Sequence, residues 1–173
     1  MTIGLTAEEQ TFDPKDLTGN LAWLHAYWLG RAGPSGMPHW TDIHLVDFPS
    51  TLLPWLVVMD VVADDRRFVF RYFGTERVAM QRIDMTGKSV MELQIPGLAQ
   101  AMLEQNQRTV EKRAPVIFRN SYVAPSGLPV AYDAMRLPVT DDGERVGKIL
   151  ALSRFVDIAP QALRKRFEKP TPV

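Results

Sequence analysis

Between Thr18 and Arg31 the apolar positions Leu21, Leu24 and Trp28 recur at helical spacing, with Trp23 and Tyr27 beside them. Thr18 is a suitable N-cap, and the wide apolar stripe predicts a helix that must pack on something. Gly33-Pro34-Ser35-Gly36 ends it, and a loop runs on through Pro38 and Pro49. Trp55 to Val62 is rich in β-branched residues and predicts a strand; Asp64-Asp65 turns the chain, and Arg67 to Phe73 returns. Glu76 to Arg82 predicts a short helix, and a longer helix is expected from Pro96 to Arg113. The last third is a meander with strands near 115–124, 129–139 and 146–156. Ser126-Gly127 and Asp142-Gly143 close its two hairpins. A short helix over 160–167 follows. Residues 1–17 carry no periodic pattern and are expected to form a flexible arm before a single domain over 18–158, with 159–173 as a C-terminal helix and tail.

The tight turns set an expected register. Val61 opposes Phe68 and Val58 opposes Arg71, so Asp60 and Arg71 become diagonal neighbours; an ion pair between them is favoured over an anion site at Arg71. In the meander, Val116, Phe118, Asn120 and Tyr122 are expected to share a face with Ala131, Asp133, Met135 and Leu137, and with Leu150, Leu152 and Arg154. Asn120 then falls opposite Asp133, with Tyr122 and Arg154 nearby. Four polar groups at one end of an apolar face read either as the wall of a ligand pocket or as a buried polar network. Asn106, between Leu103 and Val110 on the long helix, is a further pocket candidate.

Composition narrows the field. Of 173 residues, 46% are hydrophobic and 23% charged, and Lys plus Arg equals Asp plus Glu at 20 each, so the formal net charge is zero. That balance is ordinary for a globular domain and offers no basic stripe for nucleic acid beyond Arg164-Lys165-Arg166, which reads as a solvated helix end. The chain has no cysteine, which removes disulfides, thiolate metal sites, cysteine nucleophiles and cysteinyl adducts. The longest apolar run, Leu52 to Val62, is broken by Pro54 and Asp60 and is too short to span a bilayer. With no leader recognisable at the N-terminus, a cytoplasmic setting is expected.

The three histidines, His25, His39 and His44, lack metal-ligand spacing, and none follows position 44. Gly87-Lys88-Ser89 ends like a phosphate-binding loop, but Arg82 stands where that loop needs glycine. No Gly-x-Ser-x-Gly is present. Paired acids in the two turns follow from turn chemistry. Neither a metal nor a cofactor is expected.

The order of elements, a hairpin, short helices, a long helix and a three-stranded meander, resembles the PAS family, in particular small stand-alone bacterial PAS proteins. The residues that carry the likeness are Ile43-His44-Leu45-Val46-Asp47-Phe48-Pro49 with Leu53-Pro54, and Phe70-Arg71-Tyr72-Phe73-Gly74-Thr75. Asp84-Met85-Thr86-Gly87-Lys88, Leu137-Pro138-Val139-Thr140-Asp141-Asp142-Gly143 and Phe155-Val156-Asp157-Ile158 complete it. Arg82-Ile83 stands where the group often has glycine before the Asp84 turn, and Ala159 replaces a common threonine. The resemblance implies an α+β fold with a five-stranded antiparallel sheet in the order 2-1-5-4-3, flanking helices and, here, an extra N-terminal helix. It implies a small-molecule pocket but no particular ligand. Haem-binding members use a histidine of the long helix and flavin photosensors a cysteine, and this chain has neither there.

The expected function is therefore a sensory or regulatory domain that binds a small molecule or a protein partner, with Arg71, Asn106, Asn120, Tyr122, Asp133 and Arg154 as ligand-binding candidates. The short stretch after Asp157 carries no output domain, so a signal is expected to leave through surface contacts. The alternatives are a dimerisation or interaction module with a filled core, and a small isomerase or hydrolase with Asp133 as base. The helix bearing Trp23, Tyr27 and Trp28 either folds back on its own sheet or pairs with a second copy; a homodimer through these rings is the expectation.

Overall fold

The computed structural model describes residues 4–65, 67–95, 97–124 and 126–156, together with residues 158, 162 and 165. Six strands, β1 (Thr6–Gln10), β2 (Leu56–Val61), β3 (Phe68–Phe73), β4 (Val116–Val123), β5 (Pro129–Thr140) and β6 (Val146–Phe155), form one sheet. The helices are α1 (Gly19–Leu29), α2 (Thr75–Gln81) and α3 (Leu98–Lys112), with short 3-10 turns between them. The architecture is a mixed α+β fold in which helices flank an antiparallel sheet. Among the described residues no helix is long and apolar enough to cross a membrane.

The sheet runs β1-β4-β5-β6-β2-β3. The expected five strands in the order 2-1-5-4-3 are corrected to six: residues 6–10, expected to belong to a flexible arm, form an extra strand at the outer edge of β4. Its sequence, Thr-Ala-Glu-Glu-Gln, shows no apolar alternation. Backbone pairing to β4 holds it, with Glu9 clamped by Arg108 (2.9 Å) and Lys112 (2.7 Å) of α3. The first hairpin keeps Val61 opposite Phe68, but a bulge between Val58 and Met59 brings Val58 opposite Tyr72 rather than Arg71. The helix start expected at Pro96 lies outside the described residues, as does the helix expected over 160–167 apart from Ala162 and Lys165.

One register differs in a way that matters. Asn120 pairs with Tyr132 and Arg119 with Asp133, one residue away from the expected pairing of Asn120 with Asp133. The Ala124 N–H donates to the Leu128 carbonyl at 2.9 Å, so three residues rather than two close the hairpin, with Gly127 at φ +82°. One extra loop residue exchanges the two faces of β4 relative to β5.

Two layers cover the sheet. On one face α1 lays Leu21, Leu24 and Trp28 into the core shared with Met135, Leu137 and Leu152. Trp28 Nε1 donates to the Pro138 carbonyl at 2.7 Å. Trp23 and Tyr27 stack 5.0 Å apart and both meet Phe48, and the Tyr27 hydroxyl accepts the His44 N–H at 3.0 Å. Of the rings expected to make a dimer contact, Tyr27 and Trp28 are buried by their own chain and Trp23 is partly covered, because the loop after α1 returns over them. His25 packs between Phe12 and Trp28, and burial pushes its pKa down. On the opposite face lie α3 and α2. α2 is fixed at its start by Gly74, where a Cβ would stand 2.3 Å from the Pro54 carbonyl oxygen. That close approach locks the 3-10 turn Leu53–Trp55 against α2.

Candidate functional site

The exchanged register divides the expected constellation between the two faces. Asn120 and Tyr122 point to the α3 side; Asp133 and Arg154 point to the α1 side.

On the α1 side, Asp133 is 4% exposed. It accepts from both Arg119 Nε and Arg119 NH2, and from Arg154 NH2 at 2.9 Å. Burial alone would raise its pKa, but the hydrogen bonds from Arg119 and then Arg154 outweigh that and hold it below the usual carboxylate value. A carboxylate so held is a poor proton acceptor near neutral pH, which counts against Asp133 as a catalytic base. Arg154 NH1 also donates to Thr18 Oγ1 at 3.3 Å, so the Thr18 side chain makes no capping bond to its own helix. Arg71 lies apart from all of these, in a surface ion pair with Asp60 at 2.8 Å.

On the α3 side the sheet carries a polar layer. Arg136 is 3% exposed and donates from Nε (3.2 Å) and NH2 (2.9 Å) to Gln105 Oε1, and from NH1 to Asn106 Oδ1 at 2.7 Å. Gln105 Nε2 donates onward to Asn120 Oδ1 at 2.6 Å, and Asn106 Nδ2 to the sulfur of Met59. Arg136, Gln105 and Arg77 were not among the expected site residues. Arg136 is legible in hindsight, since it interrupts an apolar run much as Arg71 does; Gln105 and Arg77 leave no such mark. Arg77 of α2, 4% exposed, donates from NH1 to Ser153 Oγ at 3.3 Å, and its Nε has no acceptor. Desolvation lowers the Arg136 pKa to about 10, which still leaves the guanidinium charged at neutral pH. Burial pushes the Tyr122 and Tyr132 phenols up, so both stay neutral.

The two faces meet at a notch. β2 begins at Leu56, opposite Leu152, so Ser153, Arg154 and Phe155 of β6 run on beyond its end. There a cavity of about 260 Å³ is lined by Trp55, Leu152, Ser153, Arg154, Phe155 and Ile158, with residues 18–21 at the start of α1 across from them. Alternation along β6 turns Ser153 to the α3 layer and Arg154 to the α1 layer. A line of rings, Tyr122, Tyr132, Phe155 and Trp55, runs into it at centroid separations of 6.2, 5.2 and 5.7 Å. No grouping of three or more metal-ligating side chains occurs among the described residues. Of the expected residues, Arg154 lines this cavity; Asp133 bonds Arg154, Asn106 and Asn120 belong to the polar layer around Arg136 and Gln105, Tyr122 stands in the line of rings, and Arg71 is elsewhere.

No family model and no curated protein matches the chain. Among solved structures it is similar to VqmA bound to DPO, with 16% identity over 61% of this chain and a TM-score of 0.48; the match spans about half, 54%, of that chain. A VqmA dimer of Vibrio cholerae without target DNA matches at 16% identity over 60% of this chain and 46% of that one, TM-score 0.48. The light state of the Aureochrome1 LOV photoreceptor matches at 10% identity over 61% of this chain and 83% of that one, TM-score 0.46.

Proposed function

We propose that the chain is a PAS-like sensory or regulatory domain that binds a small molecule in the notch at the end of β6. The observation that carries this reading is the cavity of about 260 Å³ where apolar Trp55, Leu21, Leu152, Phe155 and Ile158 converge with polar Ser153 and Arg154. A mostly apolar hollow with a few placed polar groups is the usual form of a small-ligand site, and this volume suits a metabolite rather than a larger molecule. The PAS-like assignment is supported by the order of elements, together with the pairing of β2 with β3 and β6, and of β4 with β5. A regulatory role is favoured over catalysis because Asp133, the carboxylate bonded to the notch residue Arg154, is committed to two arginines. Ligand occupancy has a direct route outward: the cavity touches the start of α1, so filling it bears on how that helix seats on the sheet.

The test is to purify the full chain without denaturant, unfold it, and identify by mass spectrometry any small molecule released in stoichiometric amount. A metabolite panel screened by thermal unfolding extends the search. Release of one molecule, or a saturable stabilisation by one, supports the reading. An empty protein that no metabolite stabilises would overturn it in favour of an interaction module.

A further inference from the structure

The acceptors available to Arg77 and Arg136 are all neutral. Arg136 meets two amide oxygens, of Gln105 and Asn106, and Arg77 meets the Ser153 hydroxyl with its Nε left bare. Among the described residues neither makes an ion pair with a carboxylate. Hydrogen bonds to amides satisfy the N–H groups of a guanidinium but not its charge, and an uncompensated buried ion is strongly disfavoured. The neutral phenols of Tyr122 and Tyr132 cannot serve as counterions, and the two arginines repel each other. Among the described residues no carboxylate serves either arginine as a counterion.

Ser153 is at once the acceptor of Arg77 and part of the notch wall. Arg77 is buried and does not itself line the notch, but it stands one hydrogen bond behind Ser153, so an anion that replaced the Ser153 hydroxyl as acceptor would meet its NH1. The other polar wall residues are already engaged: Arg154 shares Asp133 with Arg119 and donates to Thr18, and Asn20 donates to the Thr51 carbonyl. The start of α1 also lines the notch; its first turn carries no acidic residue and its N-cap side chain makes no capping bond, so the positive end of the helix dipole adds to the potential there. Trp55, Phe155 and Ile158 leave the remainder of the wall apolar.

We propose that the ligand of this domain is an anion, a carboxylate on a small apolar body, with its charge held at Arg77, Arg136 behind it, and its body against Trp55 and Phe155. This rests on reading the notch as a small-molecule site and names the class of molecule it takes.

The experiment uses the full chain and four probes, sodium benzoate and sodium hexanoate against benzamide and hexanamide, with sodium chloride at equal ionic strength as the baseline. Both carboxylates are expected to raise the thermal midpoint saturably, by about 4 °C or more near saturation, while the amides leave it in place. Arg77→Met is expected to weaken the carboxylate response at least tenfold; should that variant not fold, Arg136→Met takes its place. Equal stabilisation by acids and amides, an undiminished response in the variant, or release of a neutral molecule from the purified protein would overturn the anion assignment while the small-molecule reading stands. If no probe shifts the midpoint and no molecule is released, both fall. A released carboxylate whose binding needs Arg77 supports both.

Discussion

The two faces of the sheet treat buried positive charge in opposite ways. Toward α1, each cation is given an acid: Arg119 and Arg154 share Asp133, and Lys148, whose side chain is 8% exposed, lies 2.8 Å from Asp141 and 3.4 Å from Asp60. Toward α3, Arg77 and Arg136 are buried more deeply than Arg119 and Arg154 and, among the described residues, meet only neutral oxygens. The α1 face is closed electrostatically, as befits a layer that holds a helix in place. The α3 face leaves two guanidinium charges without a described acid, and Ser153, bonded to Arg77, forms part of the notch wall at the end of β6. A fully paired network stabilises one structure; a partly paired one responds to what binds.

The largest effect is expected on the closed face. Asp133→Ala strips one acid from two arginines and should cost about 2–3 kcal/mol in urea unfolding, below the roughly 3–5 kcal/mol of a fully buried broken pair because both arginines remain partly in water. Side-chain exposures of 43% and 44% for Arg119 and Arg154 set that discount. A loss below 0.5 kcal/mol would erase the contrast between the faces.

The same pair predicts an acid limb. The native Asp133 pKa lies below its ordinary value of 3.8, so the stability it contributes is fully present above that pH and is lost as the pH falls through the native value. Asp133→Asn should flatten the stability profile below about pH 4 relative to the parent chain. Parallel profiles for the two proteins would show that Asp133 does not drive the acid transition.

On the open face, Arg136→Met removes an unneutralised charge but orphans the oxygens of Gln105 and Asn106. Relief of the buried charge and loss of the hydrogen bonds are of similar size, so the ligand-free protein should change by no more than about 1 kcal/mol in either direction. A loss of 3 kcal/mol or more would mean that the amides already neutralise Arg136 effectively. Smallest of all, Arg71→Ala at the surface pair with Asp60 should cost about 0.5 kcal/mol or less, and less still in high salt. Its side chain is 48% exposed, and Asp60 keeps Lys148.

Much of this protein was legible in its residues. The helical spacing of Leu21, Leu24 and Trp28, the Asp142-Gly143 turn, the β-branched run ending at Val61 and the long helix to Lys112 all depend on interactions between residues close in sequence, so local pattern reveals them. Thr6–Gln10 did not show itself as a strand because its stabilisation is a backbone ladder to β4 and two ion pairs to α3, both remote in sequence. The packing of α1 escaped prediction for a related reason. A wide apolar stripe demands a cover, and only the path of the loop through Phe48 and the depth of the Trp28 site on Pro138 decide that the cover is its own chain.

The candidate site shows the limit most sharply. Asn120, Tyr122, Asp133 and Arg154 were identified as polar residues in buried strands, and all four are so placed except that Arg154 stays partly exposed. Their partnership was misassigned by a single loop residue, since side chains alternate with a period of two and one extra residue between Ala124 and Leu128 sends Asn120 to the opposite face from Asp133. The residue types along the chain thus determined which strands and helices exist and that some charge would be buried. Only the tertiary structure decided which charges meet an acid, because that depends on register and on the approach of α2 and α3 from far along the chain.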